Sequence, residues 1–408
     1  MPLPAGLRAL GQRDYRVYFT GTVIGQTGTW MQTVTQSWLV LQLTDSPFKL
    51  GLTSTLQFGP ILLFSIFTGV LADRATKRTL LFVTQTTQCG LALTLGLLAW
   101  GGHAQYWHVL VVAVMWGIMS SIDQPARQSF VMELVGREHV TSAVGLNSAG
   151  FNGARIIGPS IAGLLIARVG LSPGFFLNAV AFVIAIVLLS RVPGRRPTPR
   201  LSATTFVEDL LEGLVYALGT PRVRFILGLQ IIVSFCVFNF SVYVPLLARN
   251  VLGMGAEGFG LLMGALGVGA LSAGLSLGGF GGGAPRPTTI AVSAAVACGG
   301  LVGLSFTRWF WLAALLLVIT GFAGTLAVAG CNTSLQLMAP DALRGRVMSL
   351  YTLLSGGVFP IGAFVVGFIS EHWGVPRAFL AQGVLGLIAL AALLIWRRRG
   401  EQARRATA

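Results

Sequence analysis

One arginine stands where a charge is costly. Between Val140 and Ala167 the only charged residue is Arg155, in "FNGARIIGPSIAG" (Phe151–Gly163). A guanidinium brings five N–H donors and a permanent charge, so in apolar surroundings it needs an anion, carbonyls or a ring face. Ser148, Asn152, Arg155 and Pro159 recur at helical spacing and form one polar stripe. A second stripe, Thr22, Gln26, Thr29, Thr33 and Gln36, follows i, i+4, i+7, i+11, i+14, while Val23, Trp30, Val34 and Trp38 take another face. In hydrocarbon such stripes must face each other or water. The expectation is a cavity with Arg155 at its centre and Gln26, Thr29, Thr33, Gln36 and Asn152 on its wall. Gln230, Phe235 and Asn239 from a later segment would complete that wall. The alternative is a structural network in which Gln26 or a backbone carbonyl satisfies Arg155. No embedded acid offsets Arg155 at its depth, which suits a small anionic molecule bearing catecholate or carboxylate groups, or a lipophilic one with a polar end.

Other chemistries lack their residues. The four histidines (His103, His108, His139, His372) lie near loops, and the four cysteines (Cys89, Cys236, Cys298, Cys331) lie in or beside apolar segments without metal-ligand spacing. No paired carboxylates and no G-x-S-x-G nucleophile motif occur. No enzyme activity, cofactor or metal is expected.

The elements that position Arg155 follow from composition. Of 408 residues 54% are hydrophobic and 10% charged, against about a quarter charged in soluble domains. Lipid is therefore the solvent for much of the chain. The net charge of +15 is spread in short clusters between apolar runs, which excludes a nucleic-acid-binding face. Segments of about 20 apolar residues fall at 17–43, 48–72, 80–101, 107–125, 141–168, 172–191, 223–249, 257–280, 288–306, 309–336, 347–369 and 374–396. With both termini cytoplasmic, 22 basic residues lie on inner segments and five on outer loops, as the positive-inside rule requires. No cleavable signal peptide is expected, and the first span itself would direct insertion. Counting from the inner surface at 1.5 Å per residue puts Arg155 about 21 Å deep, near the midplane.

Pro193–Arg200, "PGRRPTPR", is too polar to span, and 203–220 reads as an amphipathic helix along the inner face. The expected division is 1–192, a linker at 193–222, and 223–408 with a basic tail. A shift of 204 residues superposes Gly158 on Gly362, Gly163 on Gly367, Gly170 on Gly374 and Phe175 on Phe379. The fold class expected is all-α: twelve transmembrane helices in two pseudo-symmetric six-helix bundles.

The loop "GVLADRATKRTLL" (Gly69–Leu81) resembles the signature loop of the major facilitator superfamily, with Thr76 in place of its second glycine. "LTDSPFKLGL", "IDQPARQSFVMELV" and "NGARIIGPSIAG" are similar to one bacterial exporter branch of that superfamily, typified by the enterobactin exporter and multidrug efflux proteins. The resemblance implies a secondary exporter in the bacterial inner membrane, working as a monomer by alternating access and exchanging protons for a small molecule; the alternatives are a facilitator or importer of a small solute and a non-transporting sensor or scaffold. It implies a latch of Asp73, Arg74, Lys77 and Arg78 against the N-terminal end of span 11 near Arg346, where a helix dipole favours an anion. Asp123 would join that relay through Lys77; its local alternative is Arg127, at i+4. "GARIIGPSIAG" resembles the superfamily's antiporter signature in Gly153, Gly158, Pro159 and Gly163. Pro159 would bend the span and the glycines would admit neighbouring helices.

Overall fold

A backbone polar group without a partner in lipid costs several kcal/mol, so spanning segments close their hydrogen bonds internally, as helices. The computed structural model of this chain is helical with no strand among the described residues. Those residues are 5–194, 206–279, 285–340 and 343–406, side chains excepted at 5, 62, 65–74, 137, 141, 206–210, 277–279, 401 and 403–406. After a 3-10 turn at Ala5–Gly11 come α1 (Arg13–Thr44), α2 (Pro47–Arg74), α3 (Lys77–Trp100), α4 (Tyr106–Gly136), α5 (Glu138–Arg168) and α6 (Ser172–Ser190). A shorter α7 (Phe206–Gly219) precedes α8 (Pro221–Val251), α9 (Ala256–Gly279), α10 (Pro287–Phe306), α11 (Phe310–Met338), α12 (Arg344–Trp373) and α13 (Val375–Ala406). Among the described residues, ten helices are long and apolar enough to cross a membrane. The polar stripe of α1 lowers its hydropathy, but α1 and α2, with 32 and 28 residues, are also long enough. That accommodates the expected twelve.

Two boundaries differ from the sequence reading. Residues 126–140 were expected to be a loop, yet α4 and α5 run on to meet at Gly136, whose φ of 66° only glycine adopts readily. Ala126, Phe130, Val131 and Val135 are buried beside Tyr15, Tyr18, Leu80 and Leu81, so packing carries the helix past the apolar run. The second difference is in α8, which breaks at Val237–Asn239 and ends in a π turn, Leu247–Val251.

The helix expected after the linker forms as α7. Its Leu211, Leu214, Val215 and Leu218 are exposed along one face, and Gly213 and Ala217 are buried on the other. Residues 195–205 lie outside the described set, as does 280–284 of the second half's corresponding loop.

The internal duplication is visible at every superposed position. A Cβ at Gly158 would press on α1, at Thr27 O and Trp30 Cβ, and one at Gly362 would press on α8, at Phe235 O. Gly163 meets Gly260 of α9, and Gly367 meets Gly51 of α2. Gly170 and Gly374 both have positive φ, and Phe175 and Phe379 are both fully buried. Ser37 and Ser241 are also 204 apart, and they bond to each other: the Ser37 hydroxyl donates to the Ser241 carbonyl at 3.3 Å. That carbonyl is available because Pro245, four residues on, has no N–H. Equivalent residues in contact mark where the pseudo-twofold axis passes between α1 and α8.

Candidate functional site

Arg155 is 6% exposed and forms no ion pair or hydrogen bond among the described residues; its Nε–H is buried without an acceptor. Three ring faces hold it instead. The guanidinium carbon lies 5.7 Å from the Trp30 centroid, 5.7 Å from Phe238 and 5.6 Å from Phe240. Trp30 belongs to α1, while Phe238 lies in the break of α8 and Phe240 opens the helix after it, so the charge bridges the two halves. Each cation–π contact contributes about 0.5–2 kcal/mol and satisfies no N–H. The site is charged, apolar-walled and incomplete.

This arrangement corrects the expected pairing of polar stripes. The face of α1 that meets α5 is the Val23–Trp30 face: a Cβ at Gly150 would lie 2.7 Å from Val23, and Trp30 packs edge-on to Phe151 at 5.8 Å. Small residues on α5 bring α1 close enough for a ring, rather than Gln26, to reach Arg155. The Thr29 and Thr33 hydroxyls turn back to the carbonyls of Gly25 and Thr29, and Gln36 donates to Gln57 of α2 at 3.0 Å. Asn152 donates to Ser148 O one turn away. Gln26 is half-buried.

Gln230 and Asn239 are not on an open wall; both are within 1% of full burial, bonded to Ser234 Oγ and Phe235 O. Their carbonyl oxygens, Gln230 Oε1 and Asn239 Oδ1, find no partner. Sequence reasoning missed Trp30, Phe238 and Phe240 as the arginine's partners. The available signal was Asn239, a poor guest in an apolar run and a good helix start, which stands at the N-cap position of Phe240–Leu246 with its amide turned back to Phe235 O.

Among the described residues the halves share a seam. Every cross-half hydrogen bond, ion pair and ring contact among the described residues lies between the face opposite the termini and the level of Arg155 and Phe58–Phe359. These include Arg249–Asp45 at 2.9 Å, Glu371 with Ser46 at 2.8 Å, and Trp38 stacked on Phe259 at 5.8 Å. In the antiporter-like segment, Gly158 and Gly163 are close-contact seats, Pro159 is buried inside the continuous helix, and Gly153 has nothing within 4 Å.

At the face with the termini, Asp123 takes its local alternative. Arg127 donates to Asp123 Oδ2 at 2.6 and 2.9 Å, and Thr84 donates to Oδ1 at 3.0 Å. Lys77 meets Glu133 at 3.7 Å rather than Asp123. Arg78 donates to Ser190 O at 2.8 Å, closing the C-terminal end of α6. Arg346 pairs with Glu212 of α7. The side chains of Asp73 and Arg74 lie outside the described ones.

A model of the transmembrane secretion effector family matches residues 5–407. The chain belongs to that family of the major facilitator superfamily. It is a multi-pass membrane transporter of small molecules, and its family is not one of enzymes. The transporter is 24% identical to the staphyloferrin A transporter of Staphylococcus aureus (strain NCTC 8325 / PS 47), over 90% of this chain and 92% of that one. It is 25% identical to the enterobactin exporter EntS of Escherichia coli O81 (strain ED1a), over 87% and 85%. Its fold matches a bacterial homologue of the human lysosomal transporter Spinster, in an inward-facing, unoccupied conformation. That match has a TM-score of 0.74 at 14% identity, over 94% of this chain and 96% of that one. The nucleoside transporter NupG matches with a TM-score of 0.74 at 11% identity, over 94% and 98%.

Proposed function

We propose that this transporter exports a small anionic or amphipathic molecule of siderophore-like chemistry from the bacterial cytoplasm, by alternating access and in exchange for protons. The observation that carries the reading is Arg155, a buried charge with an unmet N–H, held only by rings between the two halves. An anion would supply the missing acceptor, and a lipophilic body would lie against Trp30, Phe238 and Phe240. The basic residues support an orientation with both termini cytoplasmic, in which the cross-half contacts at Asp45, Ser46 and Glu371 lie on the outer side. Export is supported by the Gly-Pro signature of α5 and by the printed name of one relative, an enterobactin exporter. Asp123, paired with Arg127, is the embedded acid available to carry a proton.

The test is a screen of anionic metal chelators on vesicles of the purified protein under an imposed pH gradient. Wild type accumulates a carboxylate or catecholate chelator, and Asp123→Asn loses the pH-driven accumulation. Arg155→Ala removes about 1.5–3 kcal/mol of charged hydrogen bonding, so apparent affinity falls roughly 10- to 100-fold. Unchanged affinity of Arg155→Ala for every transported compound overturns the binding role.

A further inference from the structure

Glu371 stands in the last turn of α12, yet its carboxylate serves the first turn of α2. Oε2 accepts the Ser46 hydroxyl at 2.8 Å and the Phe48 backbone N–H at 3.0 Å. Ser46 Oγ in turn accepts the Lys49 backbone N–H at 3.2 Å. The opening N–H groups of α2 are thus capped by Ser46 together with a carboxylate from the opposite half. A helix N-terminus carries partial positive charge, so an anion is favoured there.

The surrounding contacts make this a seam. Phe48 lies edge-on to Phe364 and Phe368 at 5.5 and 6.5 Å, and a Cβ at Gly51 would lie 2.9 Å from Gly367 Cα. Beside it Arg249 of α8 pairs with Asp45, the C-cap of α1. Lys49, at 5.3 Å over the Tyr106 ring, is the nearby cation on α2.

The helices α2 and α12 run antiparallel, so each end of the pair joins one N-terminus to one C-terminus. The signature loop puts Asp73 at the end of α2 on the same face as the start of α12. Glu371 repeats that chemistry at the opposite end, with the two helices exchanging roles. We propose that Glu371 is the outer half of a reciprocal clasp. Its carboxylate caps α2 and holds the outer face shut, and it releases as Asp73 engages the N-terminus of α12. When the pair rocks about its middle, closing one end opens the other, so the two caps exclude each other. The clasp rests on the alternating-access reading but not on the cargo or the direction of transport.

Spin labels on cysteines introduced at Val169 and Trp309, both exposed at this face and in opposite halves, read its opening in lipid without any substrate. Glu371→Ala should raise the long-distance population at least tenfold. Glu371→Gln, which keeps an acceptor but loses the charge, should fall between it and wild type. Asp73→Asn should shift the distribution the other way, and the double variant should return towards wild type. A misfolded variant cannot produce opposite shifts that cancel. A wild-type distance distribution in both Glu371 variants overturns the clasp, and a double variant identical to Glu371→Ala overturns its reciprocity. Transport of chelators by the same vesicles reports the functional reading separately.

Discussion

Arg155 pays for its position with an unmatched donor, and its neighbours say what it lacks. Burying a guanidinium costs several kcal/mol, and even three ring faces return only part of that while leaving Nε–H unpaired. Such a residue is either a structural mistake or half of a binding contact. The rings make a measurable prediction. Phe238→Leu with Phe240→Leu keeps apolar side chains, at some loss of packing, and removes about 1–2 kcal/mol of cation–π stabilisation, seen as a lower unfolding midpoint in detergent. In an Arg155→Leu background the same pair should cost close to nothing beyond packing, and equal losses in both backgrounds would sink the coupling. The arginine itself was legible, because a lone charge in an apolar span stands out in any reading. Its partners were not: Phe238 and Phe240 look like ordinary members of an apolar run until α8 breaks at Val237–Asn239. Nor could spacing tell which face of α1 the small residues Gly150 and Gly158 would admit.

At the scale of elements, glycine seats set the contacts. Gly158 seats α1, Gly163 seats α9 and their equivalents Gly362 and Gly367 seat α8 and α2, whereas Gly153 has open space beside it. A Cβ at Gly163 would lie 2.6 Å from Gly260 Cα, nearer than carbon atoms approach. Gly163→Val should therefore part the outer faces of α5 and α9 and cut transport at least tenfold in vesicles. Gly153→Val, just under three turns away on the same helix with nothing within 4 Å of an added Cβ, should keep roughly wild-type rates. Similar losses from both would mean that the segment acts through helix flexibility rather than packing. Hydrophobic runs and loop charges made the span count, the linker helix and the duplicated glycines readable before any coordinates. The extension of α4 and α5 to Gly136 was not, because amphipathic helix beyond the bilayer looks like loop when only apolar length is counted. The Lys77–Glu133 pair escaped for a related reason, and Asp123–Arg127 was legible only as one of two alternatives. Several acids and bases crowd one face there, and sequence does not say which pair lies closest.

For the whole molecule, the duplicated halves meet at Ser37 and Ser241 on the pseudo-twofold axis and, among the described contacts, are joined on the side opposite the termini. On the alternating-access reading, two bundles hinged at such a seam open towards the termini, along a path that ends at Arg155. Asn152 lies about one turn below Arg155 on that path and is half-buried. A cysteine introduced at Asn152 should react with a membrane-impermeant thiol reagent from the cytoplasmic side, against a low background, because all four native cysteines are buried. Adding Glu371→Ala should transfer reactivity to the outer side, with the inner rate falling as the outer one rises. A pore would let both sides react together, and a static scaffold would leave the inner rate unchanged in the variant. Only a molecule that exposes one site to two sides in turn gives reciprocal rates, because closing of one face and opening of the other are then the same motion.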